Sequence, residues 1–287
     1  HFFGDGCYDA TTFANNNIFA ADDHLDRFYN SCKLLEIPFE MSREELRAEL
    51  QKCIDANEVD HGMLYWQCSR GTTYRGHQFP PASVKPNLMI FTVPCDLIPF
   101  DKTFRLISME DTRFLHCNIK TLNLLPSVAA AQHAKRIGVQ ETVFHRGDIV
   151  TECAHSNVSI LKDGVFYSHP NDEFILRGIA KTHMIQACYR LGITVMEKCF
   201  TLDDLRNADE IIVTSSSNFC LHACEVDGKP AGGKDPATLP VTTFDNGIAM
   251  INTESCAALG YDLAAVKQAF DGKCSSVLET TTQQNFD

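Results

Sequence analysis

The sequence predicts an α+β (mixed α/β) chain built as two domains with strongly bent sheets. Three observations carry that expectation. Short apolar runs bounded by Gly or Pro alternate with stretches of helical period, so strands and helices are interleaved. A length of 287 residues with 44% hydrophobic content fills one large core or two ordinary ones. The stretch "VPCDLIPFDK" sets two prolines between two apolar runs, the composition of an interdomain linker. The expected boundary is residues 97–102, with a small α/β domain over 1–96 and a larger domain over 103–287.

The elements follow in order. "FGDGCYD" reads as a glycine-bracketed turn followed by an aromatic. In "DHLDRFYNSCKLLEI", Leu25, Phe28, Tyr29, Cys32 and Leu35 form a helical stripe behind an acidic start. "SREELRAELQKCIDANE" follows, with Ser42 as N-cap and Glu45 completing a capping box. "GMLYWQCSRG" and "PNLMIFTVP" are short, apolar and bounded by Gly or Pro, and read as strands. Beyond the linker, "FRLISMED", "ETVFHRGDIVTE" and "GVFYSHP" are strand-like. "GIAKTHMIQACYRLG" is a helix between two glycines, and "DEIIVTSSS" is a strand running into a hydroxyl-rich turn. "AALGYDLAAVKQAF" reads as an amphipathic helix near the C-terminus.

Bulk charge narrows the function classes. A formal net charge of -12 argues against nucleic-acid and anionic-membrane partners, which attract an excess of Lys and Arg. No apolar run approaches the roughly 18 residues of a membrane span. Thirteen cysteines scattered through apolar stretches suit reduced, buried thiols and a cytoplasmic location. Cys220, His222 and Cys224 sit close together in "NFCLHACEV" but lack a second ligand pair at zinc spacing. Packing on one strand face explains them, and no metal is expected.

Several residues suggest chemistry. Lys120 heads the apolar segment "NIKTLNLLPSV". There Leu122, Leu124, Leu125 and Val128 face a core if the chain turns helical near Thr121. An ammonium against packed protein is costly unless it is paired, neutralised or covalently used. In "VTECAHSNV", Glu152 ends an apolar strand beside Cys153, His155, Ser156 and Asn157, either entering a polar pocket or lying in a surface turn. "ILRGIAKT" puts Gly178, Ile179 and Ala180 at a helix start, where free N–H groups favour an anion such as phosphate. Thr214, Ser215, Ser216 and Ser217 add hydroxyl donors suited to phosphate or to capping.

Together, and in this order, "FGDGCYD", "DHLDRFYNS", "RGTTYRGHQFP", "IKTLNLLPSV", "VTECAHSNV", "LRGIAKT" and "VTSSS" resemble the fold-type IV pyridoxal-phosphate enzymes. Among these the D-amino acid aminotransferases are most similar, and the likeness runs from Phe3 to about Lys234. The resemblance implies pyridoxal 5′-phosphate as cofactor, with Lys120 as the lysine that forms the Schiff base with its aldehyde and later moves a proton. It implies Glu152 as the partner of the pyridine nitrogen and Arg27 as the phosphate-binding arginine. Ile179, Ala180, Ser215 and Ser216 match further phosphate contacts, and Leu176 matches a side chain packed on the ring. Arg75 and His77, with Tyr8, match the group that binds the substrate α-carboxylate. Branched-chain and amine-specific relatives generally lack that Arg-x-His spacing.

The implied reaction moves the amino group of a D-amino acid, such as D-alanine, to 2-oxoglutarate, giving pyruvate and D-glutamate. The alternatives are a branched-chain L-amino acid aminotransferase and an aminodeoxychorismate lyase. A fold-keeping, non-enzymatic relative would have lost Lys120 or Glu152, and both are present. The partners implied are small amino acids and 2-oxo acids, in a homodimer. This sequence also departs from the family. Cys153 stands for a usual glycine and His155 for a usual serine, so the pocket rim is bulkier and can titrate. Ala180 replaces a common threonine, the strands that normally precede "FGDG" are absent, and the tail from about residue 235 matches no motif.

Overall fold

The computed structural model describes residues 3–57, 59–96, 98–99, 101–233, 248–252, 257, 262–270 and 276–280. Of the predicted linker, residues 97 and 100 lie outside this set, as do most of the tail and part of its predicted helix.

The N-terminal sheet has the order β2-β1-β3-β4, built from β1 (Gly6–Ala14), β2 (Asn17–Ile18), β3 (His61–Ser69) and β4 (Asn87–Val93). Its strands pair antiparallel, with Gly6 opposite Ser69 and Ala14 opposite His61. Helices α1 (Ala21–Leu34) and α2 (Arg43–Asp55) cover one face. Phe13, Leu25, Phe28, Leu46, Ile54, Leu64 and Trp66 fill the core between them. The capping box of α2 forms as expected: Glu45 N–H donates to Ser42 Oγ at 3.2 Å and Ser42 N–H to Glu45 Oε2 at 2.8 Å.

The glycine-bracketed turn expected at "FGDGCYD" forms at Gly4–Gly6, where Gly6 N–H donates to the Gly4 carbonyl at 3.0 Å, and β1 starts at its last residue. Gly6 is needed for close approach, since a Cβ there would lie 2.5 Å from the Cys68 carbonyl oxygen on β3.

The second sheet runs β10-β9-β8-β11-β12-β5-β6-β7, with β13 beside β12. Its strands are β5 (Phe104–Glu110), β6 (Glu141–Arg146), β7 (Ile149–Cys153), β8 (Asn157–Lys162), β9 (Val165–Ser168), β10 (Thr194–Glu197), β11 (Glu210–Thr214), β12 (Leu221–Val226) and β13 (Lys229–Pro230). Helices α3 (Leu125–Ile137), α4 (Ile179–Arg190) and α5 (Leu202–Arg206) connect them. Strands β7 and β8 are five places apart in this order, roughly 24 Å if the sheet were flat. Yet three residues join them, and Cys153 N–H donates to the Ser156 carbonyl at 2.8 Å. The sheet must therefore curl back on itself, which matches the bent sheets expected. Leu106, Val143, Val150, Ile160, Ile211 and Val213 fill the curl. Further along, β14 (Ile248–Asn252) and β15 (Ser276–Thr280) pair in parallel, and α6 spans Leu263–Phe270.

A strap joins the two sheets. Tyr8 N–H donates to the Lys120 carbonyl at 2.9 Å and Leu122 N–H to the Gly6 carbonyl at 3.0 Å. Cys7 and Thr121 thus form an antiparallel bridge, and residues 120–122 extend the N-terminal sheet. The helix therefore starts at Leu125, later than expected. Its apolar residues do not face a core: Leu124, Leu125 and Val128 are 38%, 79% and 61% exposed. Ala130 packs inward instead, against Phe144 and Ala154.

Candidate active site

A cavity of about 250 Å³ lies beside the strap. Of the predicted site residues it is lined by Tyr8, Arg27, Lys120, Glu152, Leu176, Ile179, Ala180, Ser215 and Ser216. Arg75 and His77 do not line it. They sit on an exposed loop, where Arg75 lies 5.2 Å over the Phe3 ring and His77 packs 5.1 Å from it. The loop is anchored through Arg70, which donates to both carboxylate oxygens of Asp5, at 2.7 and 3.0 Å, and stacks 3.6 Å over Phe79. Arg70 of "RGTTYRGHQFP" thus fixes the end of β3.

The strap sets Lys120 in place. Pinning its carbonyl to Tyr8 N–H leaves the half-buried side chain over the Tyr8 ring, with Nζ 4.4 Å from the ring centre. Tyr8 stacks in turn on Tyr65 at 5.3 Å.

Glu152, at the end of β7, is buried. Its Oε2 accepts from Asn157 Nδ2 at 2.8 Å and from Leu176 N–H at 3.0 Å, and its Oε1 accepts from Arg113. Burial pushes its carboxyl up to about 7, against the pull of the Arg113 guanidinium and the Leu176 N–H. Three donors on two oxygens are the geometry of a carboxylate held ready for a positive partner. Asn157 also donates to the Leu176 carbonyl at 2.9 Å. Gly178 is required beside it, because a Cβ there would lie 1.9 Å from Asn157 Oδ1.

The opposite end of the cavity gathers donors. Helix α4 starts after Gly178 with no side-chain cap, so its first-turn N–H groups, from Ile179 and Ala180, stand at the cavity wall. Ser215 and Ser216 follow β11, and the buried Thr214 Oγ1 beside them has no hydrogen-bond partner among the described residues. Arg27 reaches in from α1. The fully buried Asp9 fixes it by accepting from Nε at 2.9 Å and from Nη2 at 2.7 Å. Burial alone would raise the Asp9 carboxyl, but Arg27 and His24 hold it far below the usual carboxylate range.

Sequence reasoning missed Arg113, Asp111, Asp9 and Glu141. Their signal is a charge placed in or just after an apolar strand, as in "CYDATTF", "LISMEDTR" and "ETVF". Among the described residues no group of three or more His, Cys, Asp or Glu side chains is arranged to hold a metal. Cys224 Sγ donates to the Phe104 carbonyl at 3.6 Å, and His222 Nδ1 lies 2.7 Å from Glu210 Oε2.

A lysine and a buried carboxylate in one cavity, facing an uncapped helix start on a curled mixed sheet, define an enzyme built around a phosphorylated cofactor. Residues 6–226 match amino-transferase class IV, and the chain belongs to that family. It is 36% identical over 243 residues to a D-alanine aminotransferase of Staphylococcus aureus (strain MSSA476), covering 84% of this chain and 85% of that protein. To the D-alanine aminotransferase of Listeria monocytogenes serotype 4b (strain F2365) it is 38% identical over 237 residues, covering 81% and 82%. Among solved structures, the branched-chain aminotransferase of Thermoproteus uzoniensis with norvaline superposes with a TM-score of 0.75 at 20% identity, covering 92% of this chain and 89% of that one. The Escherichia coli branched-chain enzyme gives a TM-score of 0.73 at 22% identity, covering 82% of each chain. At these identities the structures show the fold.

The protein is thus an aminotransferase, and enzymes of this class depend on pyridoxal 5′-phosphate. The cavity fits that cofactor. The unpartnered Thr214 hydroxyl and the uncapped α4 start are unsatisfied donors that a phosphate would engage, and the buried Glu152 suits a protonated ring nitrogen.

Proposed function

We propose that this chain transaminates D-amino acids such as D-alanine with 2-oxoglutarate, giving pyruvate and D-glutamate. The observation that carries the chemistry is the single cavity that Lys120 and Glu152 share with a cluster of anion donors. The two D-alanine aminotransferases support the choice of D-amino acids.

Pyridoxal 5′-phosphate, when bound, supplies an aldehyde that takes the amino group and a ring that draws electrons from the substrate Cα. Arg27, Ile179, Ala180, Ser215 and Ser216 would hold its phosphate, the helix residues through backbone N–H. Leu176 would pack on the ring. Glu152 would keep the ring nitrogen protonated, and Arg113 with Asn157 orients its carboxyl towards the cavity. Lys120 Nζ would hold the cofactor aldehyde, and as a free amine it would take up and return the proton at the substrate Cα. Tyr8 supports Lys120 beneath its ammonium and, with Arg75 and His77, binds the α-carboxylate.

Residues 1–96 are the small domain, 97–102 the linker and 103–287 the cofactor domain. The enzyme works as a homodimer in the cytoplasm. The eleven described cysteines, all free thiols, support a reducing compartment. No helix among the described residues is long and apolar enough to cross a membrane. A panel of paired D- and L-amino acids with 2-oxoglutarate tests the reaction. Turnover of D-alanine well above L-valine is expected, and the reverse order would favour the branched-chain reading.

A further inference from the structure

Glu141 opens β6 with its side chain fully buried. Its Oε1 accepts from Thr142 N–H at 2.8 Å and its Oε2 from the Ser156 hydroxyl at 2.9 Å. Two neutral donors do not offset a buried charge. Among the described residues, the cation within ion-pair distance is His155, whose Nδ1 lies 2.9 Å from Oε2. His155 stands on the turn between β7 and β8, lines the cavity, and keeps 55% of its side chain exposed. Because Nδ1 is committed to Glu141, Nε2 is the ring atom left for the cavity. Burial works against the imidazolium, but the hydrogen bond and charge of Glu141 outweigh it and raise the His155 pKa above 6.5. The other charged or titratable groups facing this space are Lys120, Arg113, Arg27 and, when protonated, His116, which oppose the imidazolium, and Glu152, which favours it when ionised; Tyr8, Cys117 and Cys153 also line it.

We infer that His155 is a specificity-determining residue whose Nε2–H, backed by Glu141, binds the second carboxylate of dicarboxylic D-amino acids such as D-glutamate. This rests on the proposed D-amino acid transamination, in which Arg75, His77 and Tyr8 take the α-carboxylate. That leaves the His155 donor for the side chain. D-Glutamine has nearly the same shape as D-glutamate but no charge, so the pair isolates the contact.

The test measures the cofactor absorbance change when the holoenzyme reacts with D-glutamate and with D-glutamine, in wild type, His155→Gln and His155→Lys. The D-glutamate over D-glutamine ratio of kcat/KM should fall about ten- to a hundredfold in His155→Gln, mainly through KM. In wild type it should decline as pH rises through the imidazolium range, and His155→Lys should extend it to higher pH. Calorimetry on the holoprotein adds a readout free of turnover, with glutarate binding more tightly than butyrate only when residue 155 is cationic. A ratio equal in wild type and His155→Gln, while D-alanine still reacts, overturns this inference alone. Glutarate binding that depends on His155, with no D-amino acid reacting, would keep it and overturn the reaction proposed above.

Discussion

Asp111 grips Arg113 in a fork, accepting from Nε and Nη2 at 2.9 Å each, and so turns the remaining Nη1 onto Glu152. The guanidinium also donates to the Phe174 carbonyl at 3.0 Å and stacks over Phe144. One planar cation thereby joins the segment ahead of Lys120 to the strand that carries Glu152. Burial lowers the Arg113 pKa, but Asp111 and Glu152 more than reverse this and hold it above its ordinary value.

Arg113→Gln should therefore be costly before any substrate is present. It takes the nearest cation from two carboxylates that are almost wholly buried, Glu152 and Asp111, and leaves Asp111 only the longer contact with Arg146 at 3.3 Å. Breaking a buried pair of this kind costs about 3–5 kcal/mol. Denaturant unfolding of the cofactor-free protein is the measurement, and a loss below about 1 kcal/mol would remove Arg113 from this role. Arg113→Lys should recover only part of the loss, since an ammonium cannot fill the fork.

The pH dependence of stability follows from Glu152. Its folded pKa, about 7, lies above the ordinary 4.5, so the native chain holds a proton that the unfolded chain has released. The stability it contributes is complete below about pH 4.5 and is lost as pH rises through about 7. Cofactor-free wild type should melt at progressively lower temperature from pH 5 to pH 8, and Glu152→Gln should flatten that slope. An equal slope in both proteins would show that Glu152 is ionised throughout. If Glu152 takes the role proposed for it, the same substitution removes the partner of the ring nitrogen in catalysis. Turnover should drop about 10²- to 10³-fold while cofactor loading persists.

Lys120→Ala should abolish transamination and the visible absorbance of the lysine-linked cofactor. The other lysine near the site, Lys181, cannot substitute. It is buried with Nζ donating to the His169 carbonyl at 2.6 Å and to Asn171 Oδ1 at 3.1 Å. Near wild-type turnover by Lys120→Ala would reject the assignment.

Much of this arrangement was legible in the sequence, and the exceptions have physical causes. Strands β3, β4, β5 and β11 announce themselves as apolar runs between turn residues. Strand β1 does not, because its glycine serves close packing and its Asp9 is a buried charge paired with Arg27 from α1. Lys120, Glu152, Arg27, Ile179, Ala180, Ser215 and Ser216, singled out by the order of motifs, do line one cavity. Arg113 and Glu152 lie 39 residues apart, a pairing that no local periodicity encodes. The spacing of Leu122, Leu124, Leu125 and Val128 predicts a core-facing stripe, since periodicity reports an apolar face but not what covers it; only Leu122 is partly buried. The strap pairing at Thr121 delays the helix and turns that face outward.

The last prediction concerns that uncovered surface. Leu125 and Val128 are exposed on α3, and Met89, Phe91 and Val93 are 46%, 39% and 43% exposed on β4. Tyr74, beside Arg75, is 97% exposed. Large apolar side chains exposed on β4 of the N-terminal sheet and on α3 suit a subunit interface. Arg75 and His77 also stand outside the cavity wall, on a loop held from one side by Arg70 and Phe3. A carboxylate clamp on such a loop needs the further support that an interface supplies. Light scattering at micromolar concentration should therefore give a dimer. In the dimer, Arg75→Leu should raise KM for D-alanine about ten- to a hundredfold, the worth of one charge-assisted contact, and leave cofactor loading intact. A fully active monomer would refute the assembly and leave the Lys120 chemistry standing. An unchanged KM in dimeric Arg75→Leu would instead free Arg75 from the substrate and return the branched-chain reading to consideration.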